Sequence, residues 1–548
     1  METCTYSGCA NGPHKTAMPG PAAFVSSSPP PLSPARSSPP RSRVAIATLL
    51  AIGSLALAAC GGGGGPSLAS LNYPTDNIGA GQALNDPRYL TPAACGGRNI
   101  NDVPADDSCR VRVAVVDSAF DASHPDLREN FAWNAALAGQ RAIPKYGLDL
   151  VDSNRVQSGI LSGLDDVDPT TPAGQTDVEH GTHVAGIIAA RNNAQGITGV
   201  APHATLIPIR LLNDKGRGVR NAWYDLNIAI EHSDATGAFV MNNSWGPKFQ
   251  SDILDIEVEG KTRYFVGPRV AIAGRSYANW PESDSVFQQR VVRTVILANR
   301  DDRNEVESGG PKPGLLLVFA AGNEGFNAET GLVPVFENKD DATKYKEDGD
   351  EEKAEYIRST APELNGLLRK PNLPDPMSAA FLKHTDLKGY WLSVVATNRA
   401  NRIVNGSNGC GEAASYCMAA PGHRIRSTVP DGGYKFFSGT SMAAPMVSGA
   451  AAVLKQVYPD QSAKDISTIL LCTATDLDKS TGRPTKSIEE CADKGPAATQ
   501  ANGWAPSEVY GHGLLNLARA LQPIGPTRAA AADAFGVAAA SVTRVAFS

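Results

Sequence analysis

A surplus of basic residues is missing from this chain of 548 residues. Its 50 Lys and Arg stand against 56 Asp and Glu, a formal net charge of −6. The electrostatic footprint that nucleic-acid binding needs is therefore absent, and no nucleic-acid partner is expected. The Cys-x-x-Cys spacing of structural zinc sites and the His-Glu-x-x-His pattern of zinc hydrolases are lacking as well, which argues against zinc chemistry. The apolar run from Val44 to Ala59 is shorter than the ~20 residues a membrane-spanning helix needs. What is present is 42% hydrophobic and 19% charged residues, the composition of a globular protein with a sizeable core.

Residues 1–43 are rich in Pro and Ser, and Arg36, Arg41 and Arg43 precede the apolar run. That arrangement suits an export signal over 1–59 with an extended n-region. The run ends Leu57-Ala58-Ala59-Cys60, which resembles the lipobox of bacterial lipoproteins. The resemblance implies lipidation of Cys60 and a membrane anchor; an ordinary signal peptide with an incidental cysteine is the alternative. Gly61 to Gly65 and Pro66 open a stretch, 60–95, read as a flexible tether. It shows no alternating strand pattern and is short for a folding prodomain. Cys95, Cys109, Cys410, Cys417, Cys472 and Cys491 remain. An even set in an exported chain suggests disulfides. The local pairs Cys95–Cys109, Cys410–Cys417 and Cys472–Cys491 are the expected ones, with free buried thiols as the alternative.

Chemistry concentrates in three segments. Phe437-Ser438-Gly439-Thr440-Ser441-Met442-Ala443-Ala444-Pro445 opens a run of small apolar residues. It predicts a helix whose N-terminal N–H groups lack partners and stand beside the Ser441 hydroxyl, ready for an oxyanion. A merely well-packed buried helix is the plainer reading. The run from Val111 to Val116 ends in Asp117, as when a buried parallel strand delivers a carboxylate to its C-terminal edge. His180-Gly181-Thr182-His183-Val184-Ala185-Gly186 places a histidine at the start of another small-residue helix. Asp, His and Ser together can make a hydroxyl nucleophilic at neutral pH. Their order here is the subtilisin order.

On AVVDS around Asp117, HGTHVAG around His180 and GTSMAAP around Ser441, the chain resembles the subtilisin-like serine proteases, the subtilases. A fourth block, Phe319-Ala320-Ala321-Gly322-Asn323-Glu324-Gly325, resembles that family's oxyanion-hole segment. The resemblance runs roughly from Arg98 to Pro523. It implies an α/β three-layer sandwich, a mostly parallel central sheet with helices on both faces, plus surface insertions. Asp117, His180 and Ser441 become the catalytic residues, and Asn323 with the Ser441 backbone N–H becomes the oxyanion hole. Ser244-Trp245-Gly246 becomes the segment that pairs with substrate backbone. Gly246, Ala320, Ala321 and Gly322 line a pocket open to an apolar side chain; Trp245 is equally readable as a core residue. Ala119 departs from the glycine usual in the family, without displacing the carboxylate.

Elsewhere, a strand over 204–212, a helix over 219–232 and a strand over 238–243 alternate as a parallel sheet requires. Another strand is expected over 390–396, a turn over 418–422, and helices up to Val457 and over 463–471. His124 and His183 read as structural. Asp165-Asp166-Val167-Asp168 is read as a solvated loop, with calcium left open. Segments 247–313 and 326–388 are insertions, the latter holding the charge-dense run 339–353. The catalytic domain is placed at 96–523 and an Ala-rich tail at 524–548.

The functional expectation is an exported, monomeric serine endopeptidase that needs no cofactor for its chemistry and cuts surface or secreted polypeptides. It would be lipid-anchored at the outer membrane or surface of a bacterial envelope, or released by proteolysis. The combination resembles protease passengers of autotransporters, although the tail is too short to hold their β-barrel. A catalytically silent passenger, acting as an adhesin on the same scaffold, is the alternative; an esterase is a weaker one.

Overall fold

The computed structural model describes residues 74–134, 144–151, 178–212, 222–246, 251–268, 287–299, 314–325, 332–348, 353–358, 374–477 and 505–522. All of them belong to one unit, Gly65–Ser548. Strand β1 (Arg112–Asp117) sets the layering. Its Val113 and Val115 enter one hydrophobic cluster and its Ala114 and Val116 another, because successive side chains of a strand face opposite sides of the sheet. A strand with apolar residues on both faces is covered on both.

The remaining strands are β2 (Leu148–Asp149), β3 (Thr205–Arg210), β4 (Ala238–Asn243), β5 (Ser251–Val258), β6 (Lys261–Pro268) and β7 (Leu316–Ala320). They continue with β8 (Leu332–Phe336), β9 (Glu355–Arg358), β10 (Trp391–Thr397), β11 (Cys417–Pro421), β12 (Ile425–Val429) and β13 (Gly433–Phe437). Seven of them form the central sheet in the order β11-β10-β7-β4-β1-β3-β2, and every pairing in it is parallel. The expected turn at 418–422 is thus an edge strand, β11.

Helices α1 (Ala80–Leu84), α2 (Pro87–Leu90), α3 (Glu179–Ala189) and α4 (Ala222–Ala235) precede α5 (Arg293–Ala298) and α6 (Lys339–Asp348). They are followed by α7 (Thr440–Val457) and α8 (Ala463–Thr473). One face of the sheet is covered by α3, α7 and α8. The other is covered by Leu226, Ala229 and Ile230 of α4 and Val295 and Ala298 of α5. Nearly every residue of α7 is buried, and its Ala and Gly residues let neighbours close in from all sides.

Two expectations need correction. The tether read over 60–95 is, from Asp76 onward, short helical turns. Ile78, Ala80, Ala83 and Tyr89 are buried in the main core, since the apolar side chains of these short turns gain by leaving water. The insertions also divide differently. Segments 251–268, 332–336 and 355–358 join as a four-stranded antiparallel sheet, β5-β6-β8-β9, whereas 374–388 belongs to the body, with Phe381 and Leu387 buried under the central sheet. The run Asp165–Asp168 lies outside the described residues. Among the described residues no helix is long and apolar enough to cross a membrane.

The structure joins Cys95 to Cys109 and Cys410 to Cys417. Cys472 is also disulfide-bonded; Cys491 and Cys60 lie outside the described residues.

Candidate active site

Two neighbouring strand ends build the site. In the pairing of β1 with β4, Val116 stands opposite Asn243, so Asp117 and Ser244 follow side by side at the C-terminal edge of the sheet. The buried carboxylate of Asp117 meets His180 Nδ1 at 2.7 Å. An ionised carboxylate can only accept, so Nδ1 carries the hydrogen and Nε2 presents its lone pair. Asp117 Oδ1 also accepts the Ser118 N–H at 2.7 Å. Oδ2 is buried without a hydrogen-bond partner, a cost of the kind that functional sites retain.

His180 stands in the first turn of α3, and the loop after β1 fastens that turn. The Ser118 hydroxyl accepts the Gly181 N–H at 3.0 Å, and Asp121 N–H donates to Thr182 Oγ1 at 2.9 Å. Helix and loop are so close that a β-carbon at Gly181 would lie 2.7 Å from the Ala119 carbonyl oxygen. A glycine there is what lets the imidazole reach Asp117.

Ser441, 9% exposed, is held by the residue after β4. Its hydroxyl donates to the Ser244 carbonyl at 3.0 Å, and the Ser244 hydroxyl donates to the Ser441 carbonyl at 2.9 Å. The second bond has a reason in sequence: Pro445, four residues on, has no N–H with which to close the helical bond to Ser441. Asn242 Nδ2 donates to Ser244 Oγ at 3.0 Å, and Ser448 Oγ donates to Asn242 Oδ1 at 2.8 Å.

Asn323 is exposed just beyond β7. Its Oδ1 accepts the Thr440 N–H at 2.9 Å and the Thr440 hydroxyl at 3.0 Å. The N–H can only donate, which fixes the amide orientation and leaves Nδ2 as the group offered to the cleft. Asn408, which the sequence reading passed over, anchors this loop: its Nδ2 donates to the Ala321 carbonyl at 3.0 Å and to Glu324 Oε2 at 2.6 Å.

The expected pocket residues separate. Ala320 and Ala321 are buried in the core; Gly322 is half-buried and Gly246 exposed. Trp245 is partly buried against the cluster beneath α4, its ring 6.1 Å from that of Phe319. Asp375, also missed, lies against Gly246. No motif announces it, because it falls inside a segment that reads as an insertion.

His183 and His124 are held by contacts to the backbone. His183 Nε2 reaches the carbonyls of Ile425 and Lys435, each at 3.1 Å. Its ring stacks on Phe437 at 4.3 Å, and burial pushes its pKa down to about 4. His124 accepts the Asp126 N–H on Nδ1 and donates from Nε2 to the Gly433 carbonyl, each at 3.1 Å. Among the described residues no group of three or more His, Cys, Asp or Glu is placed to hold a metal ion.

The family model for subtilases matches residues 109–513. The chain is 29% identical over 322 residues to an extracellular serine protease of Serratia marcescens, covering 55% of this chain and 26% of that protein. It is 25% identical over 370 residues to subtilisin E of Bacillus subtilis (strain 168), covering 68% and 62%. It is 28% identical over 425 residues to the minor extracellular protease Vpr of the same organism, covering 68% and 49%. The chain thus spans less than two thirds of the length of each of these relatives. With the family match extending from before β1 to beyond α8, and with Asp117 at the end of β1, Asn323 just beyond β7, and His180 and Ser441 in the first turns of α3 and α7, the chain belongs to the subtilase family.

Proposed function

We propose that the protein is an exported serine endopeptidase working through an acyl-enzyme. The observation that carries this reading is the 2.7 Å bond between His180 Nδ1 and Asp117, at a strand end adjoining the one that holds Ser441. Ser441 Oγ attacks the scissile carbonyl while its proton passes to His180 Nε2, and the new C–O bond gives a tetrahedral oxyanion. As the oxyanion collapses and the C–N bond breaks, the same proton passes to the departing amine, leaving an acyl-serine that water cleaves by the same sequence to free the acid. Asp117 keeps Nδ1 protonated and stabilises the imidazolium. Asn323 Nδ2 and the Ser441 N–H stabilise the oxyanion. At rest the Ser441 hydroxyl donates to the Ser244 carbonyl, so attack begins with a turn about its Cα–Cβ bond.

Leu57-Ala58-Ala59-Cys60 supports attachment to a bacterial membrane through lipid on Cys60, with polypeptides at the envelope as substrates. The purified chain is expected to hydrolyse a peptide amide, and Ser441→Ala to abolish this. Amide hydrolysis that survives the substitution overturns the reading, as does its absence from unaltered protein that is demonstrably folded; the latter outcome favours the silent binding module.

A further inference from the structure

Asp375 is a buried acid that the mechanism does not use. It is 2% exposed, and its backbone N–H donates to the Ala321 carbonyl at 2.6 Å, beside the loop that carries Asn323. Its carboxyl group lies directly over Gly246: a β-carbon built there would stand 2.7–2.8 Å from all three carboxyl atoms. Oδ1 accepts the Met377 N–H at 2.7 Å, and the Ser378 N–H also bonds the carboxyl group. Among the described residues no cationic side chain pairs with the group. Burial above all, then the like charge of Glu324, raises its pKa well above the usual carboxylate range.

The location matters more than the burial. A scissile carbonyl seated between Ser441 Oγ and Asn323 Nδ2 places the side chain of its own residue between the segments that follow β4 and β7. Those are the segments Asp375 touches, through Gly246 on one side and Ala321 on the other. A buried acid with no cation paired to it among the described residues is costly to ionise; an ammonium or guanidinium arriving there favours the carboxylate. Glu324 contributes negative potential of the same sign.

Resting on the endopeptidase reading above, we propose that Asp375 makes the chain selective for lysine or arginine on the acyl side of the cleaved bond, in place of the apolar residue that the small lining residues imply. Gly246 is part of the device, since any side chain there displaces the acid.

The test compares kcat/KM for peptide anilides that differ only in the residue before the anilide: Arg, Lys, Leu or Phe. Unaltered protein should favour Arg and Lys by at least about 10-fold. Asp375→Asn should lose about 10²-fold more on Arg and Lys than on Leu and Phe, the scale for truncating one side of a buried charge pair. Folded sites are counted by labelling of Ser441 with a fluorophosphonate, so a misfolded variant is recognised. Should Asp375→Asn fail to label, inhibition of unaltered protein by benzamidine but not by neutral benzamide supports the proposal, and equal inhibition by both overturns it. A preference for Leu or Phe in unaltered protein, or an equal loss on all four substrates in the variant, also overturns it while leaving the endopeptidase reading intact. Hydrolysis of none of the four removes both.

Discussion

Asn323 shows how far one side chain can be specified by its neighbours. Thr440 supplies two donors to Oδ1, so the amide cannot turn over without losing both bonds, and Nδ2 keeps the orientation that the proposed oxyanion role requires. Asn323→Ala is expected to lower kcat by about 10²–10³ with little change in KM, the scale known from subtilisin itself for removing one oxyanion donor. Steady-state kinetics on a peptide anilide check this; a loss confined to KM contradicts it. At Gly181 the constraint is steric. Gly181→Ala puts a carbon 2.7 Å from the Ala119 carbonyl oxygen and must push the start of α3 outward, taking His180 off Asp117. A fall in kcat of at least about 10²-fold is expected, the scale for a small misplacement of a catalytic group; kcat within twofold of the parent would show that the helix accommodates the methyl group.

Among the elements, α7 depends most on others. It is buried on every side, and its first turn is completed by residues from the loops after β4 and β7 rather than by its own backbone. Ser244 is the clearest case, because Pro445 leaves the Ser441 carbonyl with no helical donor. Ser244→Ala should leave that carbonyl unpaired in a buried site and cost about 1–3 kcal/mol. Urea unfolding of Ser244→Ala and its parent, both carrying Ser441→Ala to prevent self-digestion, measures the difference; unchanged midpoints would show that another donor takes over. The strands and helices near the site were legible because each is long, apolar and periodic: β4 occupies the expected 238–243, and α7 ends at the expected Val457. The sheet β5-β6-β8-β9 was not legible, since its strands pair antiparallel across some 60 residues of intervening chain and nothing in either segment names its partner.

For the whole molecule, acid is the expected weak point. Burial pushes His183 and His203 down from 6.5 to about 4, with Arg110 and Arg191 also lowering His203. Between those values the unfolded chain binds protons that the folded chain does not. The stability each histidine contributes is therefore intact above about pH 6.5 and lost as the pH falls toward about 4. That loss is on the order of 3 kcal/mol for each. Asp375, raised rather than lowered, acts in the opposite direction, so variants must be compared. In the Ser441→Ala background, His203→Phe should lose less stability than its parent between pH 7 and pH 4.5; an equal loss in urea unfolding contradicts the assignment. The Cys95–Cys109 bridge closes a separation of 14 residues at the N-terminal end of β1, the edge opposite Asp117. Replacing both cysteines by alanine should lower stability by about 3 kcal/mol and leave kcat as it was.

By itself the sequence determined the chemistry and the layers. A carboxylate closing an apolar strand, and a histidine and a serine opening small-residue helices, are local patterns whose meaning survives without coordinates, and alternation of strand and helix dictates a covered parallel sheet. Tertiary structure alone decided which groups meet. Asp375, Asn408 and Ser244 gain their roles from residues 54 or more positions away, and hydrogen bonding, steric fit and desolvation depend on distance in space. Separation along the chain carries no record of it.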